Sequence, residues 1–134
     1  MKKISFDSGL REYELGSGIL RFNPIDPNLY ERFMQAADKF SALEDELVAE
    51  AQNQEEGAAN VLEIMKRFDK KSKDLLNHVF GAGNDFDKLL NGVNLMAVAA
   101  NGVRVITNLL FALTPILEQG AKDCAASFMN NGGK

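Results

Sequence analysis

The sequence has very few of the residues that most often perform chemistry. It contains one cysteine, one histidine and no tryptophan among 134 residues. A lone cysteine, Cys124, excludes an intrachain disulfide and any metal site built from several cysteines. His78 has no second histidine or cysteine to join it in a metal site or a nucleophile–base pair. We therefore expect a structural or surface role for His78, a buried or unreactive thiol at Cys124, and neither a metal nor a cofactor.

Positive charge is outnumbered by negative charge. The chain carries 15 Lys and Arg against 19 Asp and Glu, a net charge of −4. Binding to nucleic acid depends on clustered cations that neutralise phosphates. The basic cluster between Lys66 and Lys73 is interrupted by Asp69 and has the spacing of a solvated helix face. We therefore expect no nucleic-acid partner.

A long uninterrupted apolar run is also missing. The longest one, residues 103–117, contains Arg104, Asn108 and Pro115. A membrane-spanning helix needs about 20 apolar residues, so this run fits a buried core helix better. With no recognisable signal peptide and only one cysteine, the sequence predicts a cytoplasmic protein that does not bind membranes.

Catalytic motifs are absent as well. The segment Gly81-x-Gly83-x-Asp85 superficially resembles phosphate and calcium loops. It lacks a third glycine, a Lys-Ser/Thr ending and the acidic ligand that closes an EF-hand, so it is interpreted as a helix terminator. The many carboxylates fall on predicted helix surfaces and at caps. The sequence therefore predicts a protein that is not an enzyme.

The chain length fits a single domain, residues 1–134, whose first part, residues 1–23, is rich in β-structure. Three short runs alternate polar and apolar residues between glycine-centred turns, at Lys3–Asp7, Glu12–Leu15 and Ile19–Phe22. They predict a small antiparallel hairpin or meander whose edges are open to strand addition. Its apolar face would contain Ile4, Phe6, Tyr13, Leu15, Leu20 and Phe22.

The segment Asn23-Pro24-Ile25-Asp26-Pro27 marks the change from strand to helix. Asp26 is a good N-cap, and Pro27 suits the first helical position because its missing N–H would have no partner there. Residues 27–80 then predict two amphipathic helices with a break at 52–57, packed as an antiparallel hairpin; one long helix is the alternative. Their stripes contain Leu29, Phe33, Phe40, Leu43, Leu47, Val61, Leu62, Met65, Phe68, Leu75, Leu76, Val79 and Phe80.

The rest of the chain predicts short helices and one longer one. Residues 81–102 combine glycine stops with possible caps at Asp85 and Asn94. Residues 103–127 predict a C-terminal helix that Pro115 kinks near residues 111–115, and residues 128–134 predict a flexible tail. The fold class is α+β and predominantly α-helical: a small N-terminal β-hairpin or meander, a helical hairpin, short helices and a kinked C-terminal helix.

The amphipathic stripes are also candidate binding surfaces. Their apolar periodicity exceeds what one thin domain needs, and methionines provide adaptable contacts. The candidate protein-binding residues are Phe33, Phe40, Leu47, Met65 and Phe68. The alternative is that such residues simply fill a core.

Three segments in this order resemble small tail proteins of phages and prophages of Gram-positive bacteria. They are Phe22–Pro27 followed by Tyr30 and Phe33, then Val79–Gly83 followed by Phe86–Leu89, and finally Leu110–Leu117. The chain is similar in these segments to tail assembly chaperones, over roughly residues 1–120. Members of that family carry no catalytic residues.

The resemblance implies a non-enzymatic function in the cytoplasm of a bacterial host. The protein would bind the tape-measure protein and recruit tail tube subunits. Self-association into a ring or larger homo-oligomer would cover the spare apolar stripe. One alternative is a structural virion protein of the tail or of head completion. Another is a small regulatory or ligand-binding helical protein with a pocket between the helical hairpin and the C-terminal helix.

Overall fold

The computed structural model of the protein describes residues 1–53, 57–81 and 83–131. Two strands come first, β1 (Arg11–Leu15) and β2 (Gly18–Phe22). Four helices follow: α1 (Pro27–Gln52), α2 (Ala58–Phe80), α3 (Phe86–Leu89) and α4 (Val105–Asn131). This order confirms the predicted fold class, which is α+β and mainly helical.

The two strands form an antiparallel hairpin in which Leu15 pairs with Gly18 and Tyr13 with Leu20. The connecting turn contains only Gly16 and Ser17, and Gly16 has a positive φ of 59°, as the first central position of a type II′ turn requires. Leu20 and Phe22 are buried, and the Tyr13 ring stacks on Phe22 with centroids 4.7 Å apart. The hairpin alternative is therefore confirmed.

The third predicted strand, residues 3–7, does not form. Ile4 and Phe6 are 88% and 80% exposed, so neither contributes to an apolar face. The outer edge of β2 is also partly occupied. There the Asn84 side chain accepts a hydrogen bond from Arg21 N (2.9 Å) and donates one to Arg21 O (2.7 Å). The predicted open edge is thus blocked at Arg21 by a side chain.

The junction before α1 has the predicted geometry. Asp26 is the N-cap, and its Oδ1 accepts a hydrogen bond from Asn28 N at 2.9 Å. Pro27 occupies the first helical position. Since the cap and its partner are two residues apart, this part of the structure depends on local sequence alone.

Helices α1 and α2 pack against each other as an antiparallel hairpin, and the single-helix alternative is excluded. Arg32 near the start of α1 donates to Val79 O at the end of α2 (3.1 Å), and Glu50 forms an ion pair with Arg67. One predicted member of the α2 stripe is wrong: Leu62 is 56% exposed, and Ile64 is buried instead. Ile64 lies one turn before Phe68 and therefore on the same face, whereas Leu62 points away.

The connection between α2 and α4 is largely irregular. Gly81 ends α2 with φ at 95°, and Asp85 caps α3 by accepting from Asp87 N and Lys88 N. Asn94 Oδ1 accepts from Met96 N, as expected of a cap, but no helix continues to residue 100. The chain instead folds back on itself, with Ala99 N bonded to Val103 O at 2.7 Å.

Helix α4 buries Ile106, Leu109, Leu113, Leu117 and Gly120. The helix continues through Pro115, so the expected kink stays a prediction. Residues 128–131 of the predicted flexible tail are helical, and residues 132–134 lie outside the described part. The last helical turns extend beyond the body of the protein, and Phe128 and Met129 are exposed.

Candidate functional site

The single histidine and the single cysteine lie on different helices, His78 on α2 and Cys124 on α4. His78 is exposed, and Cys124 is a free thiol that is half-buried. Within residues 1–53, 57–81 and 83–131, no group of three or more His, Cys, Asp or Glu side chains could hold a metal ion. Gly81 and Asp85 act as the end of α2 and the cap of α3, which agrees with their interpretation as helix terminators.

Lys73 is a buried lysine whose pKa is shifted from its ordinary value. The Lys73 side chain is 5% exposed and its Nζ lies 3.0 Å from Asp69 Oδ2 and 2.6 Å from Asp87 Oδ1. Burial lowers the pKa of Lys73, but the hydrogen bonds to Asp87 and Asp69 outweigh it, and the pKa is raised above its ordinary value. Asp69 Oδ1 also accepts from Leu95 N at 2.7 Å.

This network has a structural role. A lysine whose pKa is raised stays protonated near neutral pH and cannot act as a base. Through Asp87 it holds α3 on α2, and through Asp69 it holds the segment that begins at Leu95.

Four of the five residues predicted to bind proteins lie in the core. Phe33, Phe40, Leu47 and Phe68 are at most 7% exposed. They fill the space between the helices because they lie on the faces that α1 and α2 turn towards each other. A partner could not reach them in this conformation. Met65 is half-buried and lines a separate depression with Leu47 and Arg104.

The other side of the helical hairpin carries an open groove of about 480 Å³, which we call the hairpin groove. Its floor is apolar and its rim is charged. The lining residues are Lys39, Ala42, Leu43 and Glu46 of α1 and Lys71, Asp74 and Leu75 of α2. On a helical wheel, Lys39 and Glu46 lie about 180° from Ser41 and Glu44, which are on the α4 side. The hairpin groove is therefore the face that α4 leaves uncovered.

The charges on the rim are only partly neutralised. Lys39 and Glu46 form no ion pair with any residue that the structure describes. Asp74 Oδ2 accepts from Lys70 Nζ at 3.1 Å in an exposed pair, and Lys71 Nζ lies 4.8 Å from the centre of the Phe68 ring. The rim can therefore form new ion pairs with an incoming surface at little cost.

A second space lies between the helical hairpin and α4. It measures about 200 Å³ and its lining includes Phe40, Ser72, Met96 and Leu110. The Ser72 hydroxyl is fully buried and has no hydrogen-bond partner among the residues that the structure describes. This is the region where the ligand-binding alternative expected a pocket, but the space is smaller than the hairpin groove.

Exposed apolar side chains are also found in two segments near the ends of the chain. Residues 1–10 form no regular element and expose Ile4, Phe6 and Leu10. The projecting end of α4 exposes Phe128 and Met129. Exposed apolar groups of this kind are common at surfaces that contact other proteins.

Sequence reasoning assigned Leu43 and Leu75 to the core stripes and missed the hairpin groove. A signal was nevertheless present in the sequence. Leu43 is flanked on its face by charges of opposite sign at Lys39 and Glu46, where a fully buried stripe would have apolar neighbours.

Comparisons with protein-family models, with curated proteins and with solved structures gave no match for this chain. Among the residues described, none of the helices has the length and apolar character needed to cross a membrane.

Proposed function

We propose that the protein is a non-enzymatic tail assembly chaperone that holds amphipathic helices of a tape-measure protein in its hairpin groove. The observation that carries this proposal is the groove itself, with Ala42, Leu43 and Leu75 on its floor and charges of both signs on its rim. The resemblance of three sequence segments to such chaperones supplies the identity of the client.

The chemistry of the groove suits a helical client. An amphipathic helix binds a groove by placing apolar residues three and four positions apart on the floor. The rim from Lys39 to Glu46 is about 10 Å long, which matches two helical turns. So short a contact gives modest affinity, as a chaperone that must later release its client requires.

The exposed N-terminal segment and the exposed end of α4 are candidate surfaces for further partners. The resemblance implies that tail tube subunits are recruited to the client. The exposed Ile4, Phe6, Phe128 and Met129, none of which lines the hairpin groove, offer apolar surface for such contacts. Assembly of this kind would take place in the cytoplasm of the bacterial host.

Co-expression with a helical fragment of the tape-measure protein tests the proposal. The wild-type chain should keep the fragment soluble and co-purify with it. Leu43→Glu should abolish both effects, because it places a charge on the groove floor. Leu62→Glu is the matched control, since Leu62 is an exposed leucine outside the groove.

Circular dichroism must show that both variants are folded. Equal client binding by both variants, or no binding by the wild type, would contradict the proposal. Recovery of the chain in purified mature particles would instead favour the structural virion alternative.

A further inference from the structure

We propose that the hairpin groove also binds the hairpin groove of a second copy of this chain, giving a two-fold symmetric dimer that covers the client site. The idea that the dimer regulates client binding rests on the proposed function, but the dimer itself can be tested without any client. The partner is identified by the positions of the four rim charges.

The rim charges are placed evenly about one point of the hairpin. Lys39 and Glu46 are seven residues apart on α1 and point to the same side of the helix. Arg32 meets Val79 and Glu50 meets Arg67, which sets the heights of the two antiparallel helices. Seven residues of α1 rise about 10 Å and three residues of α2 about 4.5 Å, so the α2 charges lie between the heights of the α1 charges. Lys39 and Asp74 are towards one end of the groove, and Glu46 and Lys71 are towards the other.

A two-fold axis brings rim charges of one copy opposite rim charges of the other sign on the second copy. A two-fold axis in the interface and perpendicular to the helices places α1 antiparallel on α1 of the second copy. Lys39 then faces Glu46 of the partner subunit, and Lys71 faces Asp74 of the partner subunit. Each contact occurs twice, as in every two-fold interface.

An axis parallel to the helices also brings opposite charges together. In that orientation Lys39 faces Asp74 of the partner subunit, and Glu46 faces Lys71 of the partner subunit. Both orientations form a four-helix arrangement in which Leu43 and Leu75 of each copy make the apolar centre.

The dimer and the client use the same surface, so they compete. In the absence of a client, the hairpin groove of one copy packs against the hairpin groove of a second copy. A client helix that binds the groove dissociates the dimer. The apolar floor is thereby covered whenever no client is present, which protects the chain from non-specific association.

Sedimentation velocity over a range of protein concentrations tests the dimer. The wild type should dimerise reversibly, and more weakly as salt is raised, because the rim pairs are exposed and screened. Lys39→Glu should weaken dimerisation at least tenfold, since it creates two repulsive contacts in either orientation. Lys66→Glu is the matched control, because Lys66 is an exposed lysine of α2 outside the groove.

A second charge reversal identifies the orientation. K39E/E46K should restore the dimer if the axis is perpendicular to the helices, and K39E/D74K should restore it if the axis is parallel. A monomeric wild type, equal effects of Lys39→Glu and Lys66→Glu, or no rescue by either double variant would overturn the proposal.

The two proposals can fail separately. If the wild type is monomeric but Leu43→Glu still loses the client, the proposed function stands and the dimer does not. If the dimer forms with the expected charge dependence but no client helix is held, the dimer stands and the proposed function does not.

Discussion

Replacing Asn84 by alanine should destabilise the protein strongly, because one side chain joins three parts of the fold. Asn84 Oδ1 accepts from Arg21 N (2.9 Å), and Nδ2 donates to Arg21 O (2.7 Å) and to Phe80 O (2.9 Å). The residue is only 5% exposed. Its amide therefore acts as a short third strand that attaches the β-hairpin to the end of α2.

The expected loss of stability depends on which backbone groups the substitution leaves without a hydrogen-bond partner. The bond to Phe80 O is buried, so this carbonyl would lose its partner, at a cost of about 1–3 kcal/mol. The two Arg21 groups are only partly buried and can turn to water, which limits each loss to about 0.5–1.5 kcal/mol. We expect a total loss of about 2–4 kcal/mol in the free energy of unfolding, allowing for partial relaxation.

Urea denaturation followed by circular dichroism measures this loss. Asn84→Asp should be no better than alanine, because it keeps the acceptor for Arg21 N but places a carboxylate oxygen beside two carbonyls. Asn28→Ala, at an exposed position on α1, should stay within about 0.5 kcal/mol of the wild type. An Asn84→Ala variant as stable as Asn28→Ala would refute the reasoning.

Two further predictions concern the packing of α4 and the buried lysine. Gly120→Ala should lower the thermal midpoint despite alanine's better helix propensity, because the added Cβ would overlap the Pro24 carbonyl oxygen; Gly83→Ala, with open space around it, is the calorimetric control. Lys73→Met should cost about 1–3 kcal/mol at pH 7 by leaving Asp69 and Asp87 unpaired. The raised pKa of Lys73 means that its contribution is complete below pH 10.5 and disappears as the pH rises through the folded-state pKa. Denaturation between pH 9 and 12 should therefore show a steeper alkaline loss in the wild type than in Lys73→Met, and parallel curves would contradict this.

The helix boundaries illustrate what can be read from local sequence. Asp26 and Asp85 cap helices by bonding backbone groups two or three residues away, and Gly81 ends α2 with a positive φ. Such interactions are encoded within one turn of chain, so their residue types are sufficient to predict them. The extent of α4 beyond residue 127 was missed, because residues 121–131 contain neither a glycine nor a proline that would mark a helix end.

The hairpin groove and the β-sheet edge are features that cannot be predicted from local sequence. Leu43 and Phe40 belong to the same periodic stripe, yet Phe40 is buried and Leu43 lies on the groove floor. The direction in which each helix meets its neighbours decides between the two roles. Similarly, an alternating run at residues 3–7 has the pattern of a strand, yet Ile4 and Phe6 are exposed and no strand forms there. The edge of β2 is occupied at Arg21 by Asn84, which is distant in sequence.

The sequence by itself determined the order and type of the principal elements, their N-terminal caps, and the two amphipathic stripes that pair α1 with α2. Each of these depends on residues within a few positions of one another. The tertiary structure alone decided that Asn84 occupies the edge of β2 at Arg21, that Lys73 is buried between two carboxylates, and that four rim charges surround an uncovered groove. These features join residues up to 63 positions apart, and their geometry exists only after the helices have packed.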